Sequence, residues 1–172
     1  RPFGHEIGRM EFTINDRLEA IEAEIARAAP DLVGFSCYLW NILQVLEIAD
    51  SLKKIRPDLP IVLGGPEVSF DGRDLLASEP AVDFVIQGEG EGPWRAFLDA
   101  FPQGRFRDVS GLCWREGGEI RVNPPGEPYP MEALPSPDAS WIADLAGRLA
   151  YYEASRGCPF ACAFCLSGRE GG

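Results

Sequence analysis

Basic residues are scarce in this sequence, and they never form a run. The 172 residues contain 16 lysines and arginines against 27 aspartates and glutamates, which gives a net charge of -11. Proteins that bind nucleic acids obtain much of their affinity from basic side chains that neutralise phosphates. We therefore expect no nucleic-acid partner.

Long apolar runs and histidines are equally scarce. No apolar stretch approaches the roughly 18 residues of a membrane-spanning helix. The first residues, 1–4, do not resemble a signal peptide. We expect no membrane association. The single histidine, His5, belongs to none of the motifs below, and we interpret it as an ordinary surface residue.

The five cysteines are an odd number and are unevenly spread. Three lie together near the end of the sequence, whereas Cys37 and Cys113 are isolated. This distribution is typical of metal binding rather than of a disulfide framework, and it predicts a reducing, cytoplasmic compartment. We interpret Cys37 as a buried strand thiol and Cys113 as a structural residue.

Hydrophobic periodicity predicts strands that alternate with helices. The expected strands are residues 9–14, 32–39, 61–63 and 83–86, and the expected helices are residues 17–29, 41–55, 71–78 and 93–101. Short loops between them favour an α/β fold, a Rossmann-like parallel sheet with helices on both faces.

Two of these strands carry further expectations. Residues 9–14 alternate polar and apolar side chains, which predicts a half-buried strand near a sheet edge. Asn15 and Asp16 are suited to cap the helix that follows. Residues 32–39 are nearly continuously apolar and predict a strand buried on both faces.

The pattern changes after residue 102. Residues 109–114 and 119–122 predict a β-hairpin, and the six prolines between residues 124 and 137 predict an extended connector. A short helix at residues 138–149 and a strand at residues 150–154 are expected to follow. We divide the chain into an α/β domain at residues 1–104, a hairpin and linker at 105–137, and a third part at 138–172.

Three loops follow predicted strands of the sheet. They are residues 36–40, 64–67 and 88–92, and the last two are rich in glycine. Ligands of open α/β sheets bind at the carboxyl ends of the strands. The loops predict a broad, shallow floor that suits a large planar ligand, since Glu89 and Glu91 disfavour a phosphate. The alternative is that the glycines only make tight turns for packing.

Three thiols, Cys158, Cys162 and Cys165, have C-x-x-x-C-x-x-C spacing. Iron–sulfur clusters are usually held by four cysteine thiolates, so three of them leave one iron free for another ligand. Two alternatives are a zinc site, which needs a fourth ligand, and inert thiols.

The segment 156–165 resembles the cluster motif of radical S-adenosylmethionine enzymes. The resemblance implies that Cys158, Cys162 and Cys165 hold a [4Fe-4S] cluster whose open iron binds S-adenosylmethionine. It also implies that Phe164 lies near the adenine. Reduction of the bound S-adenosylmethionine in this family yields a 5'-deoxyadenosyl radical. A full radical SAM barrel does not fit in the seven residues after Cys165. We therefore expect residues 138–172 to be the start of a radical SAM domain with its cluster loop, and the chain to be the N-terminal part of a longer enzyme that is inactive alone.

Residues 30–100 resemble the cobalamin-binding domain that precedes many radical SAM domains. The resemblance implies that Ser36 and the pair Gly64 and Gly65 contact the cofactor, the glycines lining its nucleotide tail. Gly88, Glu89 and Gly90 are then expected near the corrin or the tail. Tyr38 and Trp40 either cover a corrin edge or pack in the core or at an interface. The chain departs from the family in lacking Asp-x-His-x-x-Gly and the family's first strand.

The two resemblances together imply a cobalamin-dependent radical SAM enzyme that acts on a small molecule. The class includes methyltransferases, ring-forming enzymes and the anaerobic oxidative cyclase of porphyrin biosynthesis. The alternative is an α/β binding or regulatory module with a zinc-binding or inert cysteine-rich tail.

Overall fold

The computed structural model describes residues 4–134, 156–158, 160 and 162–165. The chain divides into two compact units, Arg1–Gly126 and Glu127–Gly172. The first holds the sheet and its helices. In the second, the described residues include a short 3₁₀ helix, Met131–Ala133, and parts of the cysteine motif. Among the helices of the described residues, none is long and apolar enough to cross a membrane.

A five-stranded mixed sheet forms the centre of the first unit, with its strands in sequence order. β1 to β3 run parallel, and β4 and β5 continue the sheet in antiparallel pairing. The strands are β1 Val33–Ser36, β2 Ile61–Gly64, β3 Phe84–Ile86, β4 Leu112–Glu116 and β5 Glu119–Val122.

In the part of the chain that the structure describes, four α-helices connect or flank these strands. They are α1 Leu18–Ala28, α2 Ile42–Ile55, α3 Gly72–Ser78 and α4 Glu91–Ala100. Each overlaps a helix predicted from the sequence, because its apolar residues recur every three or four positions and can face one core. The Rossmann-like α/β fold is confirmed.

Alternation of side chains along the strands creates a core on each face of the sheet. On one face, Ile61, Leu63 and Val85 pack with the buried residues of α1, α2 and α3. On the other face, Val62 and Ile86 pack with α4 and an aromatic cluster. That cluster contains Phe84, Trp94, Phe97, Phe101, Phe106 and Trp114. Helices therefore cover both faces, as predicted.

The predicted hairpin is confirmed as β4 and β5. Gly117 and Gly118 form its two-residue turn with φ values of 60° and 84°, which glycine adopts without strain. The hairpin is not separate from the parallel strands, since Val85 of β3 pairs with Cys113 of β4. The domain boundaries at residues 104 and 137 stay predictions.

The strand predicted at residues 9–14 is wrong. These residues form no strand, and Met10, Phe12 and Ile14 expose about 40%, 37% and 51% of their surface. A strand needs a neighbour for its backbone groups, and in the described part of the chain no strand pairs with this segment. The Gln44 side chain donates a hydrogen bond to the Ile14 carbonyl at 3.0 Å, which links the segment to α2.

The predicted cap of the first helix is also wrong. Arg17 occupies the N-cap position of α1, and no side chain caps this end. The carboxylate of Asp16 instead accepts a hydrogen bond from the backbone N–H of Thr13 at 2.6 Å. It therefore closes the turn before the helix.

Burial of residues 32–39 on both faces is wrong as well. Val33 and Cys37 are buried, but Gly34 and Ser36 are exposed. Among the described strands, β1 lies at the sheet edge with β2 as its one partner. On the face of Gly34, the Trp94 ring packs against the strand. Its nearest atom lies 3.2 Å from the position that a β-carbon would occupy at Gly34. The helix expected at 138–149 and the strand expected at 150–154 lie outside the described residues.

Candidate cofactor site

The three predicted loops meet at one edge of the sheet. Ser36 at the end of β1 is in register with Gly64 at the end of β2. The Ile86 carbonyl at the end of β3 lies 3.8 Å from the position of a β-carbon at Gly64. The carboxyl ends of three parallel strands therefore lie side by side, and the loops that follow them share one surface.

Asn41 shapes the first loop, residues 36–40. Its side-chain amide donates to the Ser36 carbonyl at 2.9 Å, and its side-chain oxygen accepts from the Tyr38 N–H at 2.7 Å. These two bonds fix the first half of the loop, from Ser36 to Tyr38, at the start of α2. Ser36 itself is exposed at the edge.

The first loop presents an apolar surface to solvent. The rings of Tyr38 and Trp40 stack with centroids 4.7 Å apart and an interplanar angle of 9°. Trp40 exposes 65% of its surface and Leu39 exposes 77%. Of the roles expected for Tyr38 and Trp40, packing in the core does not fit this exposure. The stack instead forms a flat apolar surface beside Ser36.

The second loop begins with Gly64 and Gly65 and crosses the first one closely. Gly65 has φ +105°, and a β-carbon there would lie 2.6 Å from the Cys37 carbonyl oxygen. Backbone hydrogen bonds join the two loops, from the Cys37 N–H to the Gly64 carbonyl at 2.7 Å and from the Glu67 N–H to the Cys37 carbonyl at 3.2 Å. This glycine is required by packing as well as by backbone conformation.

The third loop, predicted at residues 88–92, ends at Gly90 because α4 begins at Glu91, and it leaves open space. Gly88 and Gly90 are exposed, and a β-carbon at either position would meet nothing within 4 Å. Glu89 between them is half-buried. Gly88 has φ +77°, a conformation that itself favours glycine. Gly90 has φ -83° and open space around it, so neither packing nor conformation explains it, whereas a glycine permits a ligand to approach the backbone closely. The loop therefore fits a large ligand lying over the strand ends.

Sequence reasoning missed three residues that organise this edge, namely Asn41, Ser69 and Gln87. Asn41 had a recognisable signal, because Asn is favoured where a helix begins. Ser69 and Gln87 had none. The Gln87 amide donates to the Ser69 carbonyl at 3.1 Å, and this contact joins residues on different strand-end loops.

Burial makes the two isolated thiols inert. Desolvation raises the pKa of Cys37 to about 12 and that of Cys113 to about 11. Both side chains are fully buried. The Cys113 thiol donates to the Gln87 side-chain oxygen at 3.1 Å. Thiolates are the nucleophilic and metal-binding form of cysteine, so neither residue is suited to bind a metal, as expected from the sequence.

The cysteine motif lies in the second unit. Cys158 and Cys165 are half-buried and Cys162 is exposed. The backbone N–H of Cys165 donates to the Cys162 carbonyl at 3.1 Å, which closes a turn between them. Phe164 exposes 94% of its surface. Within the described residues, no three potential ligands lie close enough to hold a metal ion, so the assignment of this donor set to a cluster stays a prediction.

Comparison with known protein families finds one match. The model of the B12 binding domain matches residues 1–98. This range contains the three loops at the carboxyl edge of the sheet.

Several relatives match most of the chain, among them two methyltransferases. The chain is 33% identical over 148 residues to 2-(S-pantetheinyl)-carbapenam-3-carboxylate methyltransferase of Streptantibioticus cattleyicolor. It is 31% identical over 148 residues to the cobalamin-dependent radical SAM methyltransferase TokK of Streptomyces tokunonensis. Each alignment covers 79% of this chain and 22% of the relative. The chain therefore spans about a fifth of the length of these relatives.

A solved structure shares the fold. The cobalamin-dependent S-adenosylmethionine radical enzyme OxsB, with aqua-cobalamin and S-adenosylmethionine bound, superimposes with a TM-score of 0.71. The match covers 88% of this chain and 22% of OxsB at 23% sequence identity.

Proposed function

We propose, because this chain belongs to the B12-binding domain family, that the carboxyl edge of its sheet binds cobalamin. We propose further that the chain is the N-terminal part of a cobalamin-dependent radical SAM enzyme. The observation that carries the first proposal is the open floor formed by three strand-end loops, two of which are rich in glycine. The second rests on the cysteine motif and on the relatives that match through most of the chain.

The residues at the edge have separate tasks in binding cobalamin. Gly64, Gly65, Gly88 and Gly90 bring backbone close to the cofactor, and Ser36 and Glu89 supply polar groups beside it. The stacked Tyr38 and Trp40 cover an apolar part of the cofactor and exclude water. The described residues offer no histidine from an Asp-x-His-x-x-Gly motif, so axial ligation of cobalt by that histidine is not part of the proposal.

Cys158, Cys162 and Cys165 are the residues that would hold a [4Fe-4S] cluster. Three thiolates from one short segment satisfy three irons and leave the fourth for S-adenosylmethionine. Phe164 would contact the adenine, and its exposed ring is available for such a contact. The alternative, an α/β module with a zinc-binding or inert tail, receives no support from the relatives.

When bound, the cluster and cobalamin supply electron transfer to S-adenosylmethionine and radical chemistry such as methyl transfer or oxidative cyclisation. The substrate class we propose is a small molecule, which agrees with the carbapenam compound in the name of one relative and with the acidic net charge. We propose the cytoplasm as the compartment, because all five cysteines are free and an iron–sulfur cluster requires reducing conditions. Complete turnover requires the parts of the relatives that this chain does not span.

Titration with hydroxocobalamin, followed by absorbance, tests the cobalamin proposal. Gly90→Leu places a bulky side chain into the open floor, and we expect at least about tenfold weaker binding than in the wild type. Ala77→Leu is the control, because Ala77 is exposed on α3 and binding should persist. A wild-type chain that binds no corrinoid, or equal binding by Gly90→Leu, would contradict the proposal.

Anaerobic reconstitution followed by iron and sulfide analysis tests the cluster proposal. We expect about four irons and four sulfides per chain, and their loss in the Cys158→Ala, Cys162→Ala, Cys165→Ala variant. Cys113→Ala is the matched control and should retain the cluster. Zinc without acid-labile sulfide would favour the alternative module, and no metal even in the full-length protein would favour the inert tail.

A further inference from the structure

Ser69 joins the two glycine-rich loops through its hydroxyl group. The hydroxyl donates a hydrogen bond to the Gly65 carbonyl at 2.8 Å. The same oxygen accepts a hydrogen bond from the Gly88 N–H at 3.2 Å. One hydroxyl has one proton to donate and lone pairs to accept, so both bonds can exist together.

The backbone of Ser69 is fixed from two further sides. Ser69 ends the 3₁₀ helix Pro66–Val68 that follows Gly65, with φ -75° and ψ -12°. Its carbonyl accepts a hydrogen bond from the Gln87 side-chain amide at 3.1 Å. Contacts with both glycine-rich loops and with Gln87 therefore hold the main chain and the side chain of Ser69.

Gln87 connects this contact to the hairpin. Its side-chain oxygen accepts from the Cys113 thiol at 3.1 Å, and its backbone N–H donates to the Gly111 carbonyl at 2.9 Å. The third glycine loop begins at the next residue, Gly88. Its starting point is thus held by β4 on one side and by Ser69 on the other.

We propose that Ser69 is a positioning residue that sets the separation of the Gly64–Gly65 turn from the Gly88–Gly90 turn. The separation determines how closely the two backbones approach one bound molecule. This inference rests on the proposed binding of cobalamin at the same edge. Ser69 is a small polar residue between two glycine turns, and its hydroxyl bonds to the backbone of both.

Amide hydrogen exchange of the cofactor-free chain tests the positioning directly. We expect the Gly88 amide to be protected in the wild type and to exchange about three- to tenfold faster in Ser69→Ala. The adjacent Gln87 amide is an internal control, because its bond to Gly111 does not involve Ser69. An unprotected Gly88 amide in the wild type, or equal protection in Ser69→Ala, would overturn the inference.

Affinity for hydroxocobalamin tests the consequence. We expect Ser69→Ala to bind about three- to tenfold more weakly, with Ser69→Thr restoring affinity because it keeps the hydroxyl group. Ser78→Ala is the matched control, since the Ser78 hydroxyl bonds only locally, to the Leu75 carbonyl within α3. Melting temperatures measured in parallel show whether a loss of affinity comes from a displaced loop or from a less stable fold.

The outcomes are distinct. Equal affinity of Ser69→Ala and wild type would overturn the inference, as would a Ser69→Thr variant as weak as Ser69→Ala at the same melting temperature. If the wild type binds no cobalamin, the proposed function fails, and the exchange of the Gly88 amide still decides whether Ser69 positions the loop.

Discussion

The carbonyl oxygen of Cys37 lies 2.6 Å from the position that a β-carbon would occupy at Gly65. The backbone nitrogen of Cys37 lies 2.8 Å from the same position. Two loops that follow neighbouring strands therefore cross with no room for a side chain. The crossing lies next to Ser36 and Gly64, so the packing of the sheet edge and the shape of the cofactor floor depend on the same contact.

Replacing Gly65 should destabilise the fold. In Gly65→Ala the new methyl group overlaps the Cys37 backbone, and φ +105° is strained for alanine. We expect a loss of about 2 to 4 kcal/mol in the free energy of unfolding, measured by urea denaturation. Gly64→Ala is the control, because its β-carbon makes ordinary contact at 3.8 Å. Equal stability of the two variants would show that the loops separate readily.

Removing the exposed indole should affect cofactor binding and leave stability nearly unchanged. Trp40 exposes 65% of its surface and stacks on Tyr38. We expect Trp40→Ala to weaken hydroxocobalamin binding on the order of tenfold, as loss of an aromatic contact does. Ile55→Ala is the control, because Ile55 is 64% exposed at the far end of α2. Unchanged affinity in Trp40→Ala would remove the stack from the site.

Asp83 should contribute to stability through the backbone of a neighbouring strand. Its carboxylate accepts from the Ile61 N–H at 2.8 Å and contacts the Lys53 ammonium at 2.8 Å. Asp83→Ala leaves the Ile61 N–H without this acceptor, and we expect a loss of about 1 to 3 kcal/mol by urea denaturation. Lys54→Met is the control, because Lys54 is exposed and should have no resolvable effect. A neutral Asp83→Ala variant would contradict the role of this bond.

The five thiols should fall into two classes of reactivity. In the metal-free chain, iodoacetamide should label Cys158, Cys162 and Cys165 and leave Cys37 and Cys113 unlabelled until the chain is denatured. Burial raises the pKa of Cys37 from 9.0 to about 12, which favours its neutral form in the folded state. The neutral thiol therefore makes its full contribution to the free energy of unfolding below pH 9, and this contribution decreases as the pH rises towards 12.

Mass spectrometry of labelled peptides and thermal melts between pH 8 and about 11 measure both effects. Cys37→Ala removes the titrating group, so its stability should fall less steeply over this range. Labelling of Cys37 in the folded chain at neutral pH would contradict its burial.

Local patterns predicted much of this molecule. The apolar spacing of Ile21 and Ile25 indicated α1, because both side chains must face one core. The alternation of polar and apolar residues at 9–14 failed, since the pattern describes one strand and says nothing of whether a partner strand is present. The exposure of Gly34 was missed for the same reason, because it depends on what lies over the edge of the sheet.

The sequence by itself determined the order of strands and helices, the glycines after the strands and the spacing of the three clustered cysteines. Each of these is a relation between residues close in the chain, where periodicity and turn chemistry act directly. Only the tertiary structure decided that β4 pairs with β3, that Gly65 crosses Cys37 and that Ser69 bonds to Gly88. These contacts join residues far apart in the sequence, and packing of the whole core selects them.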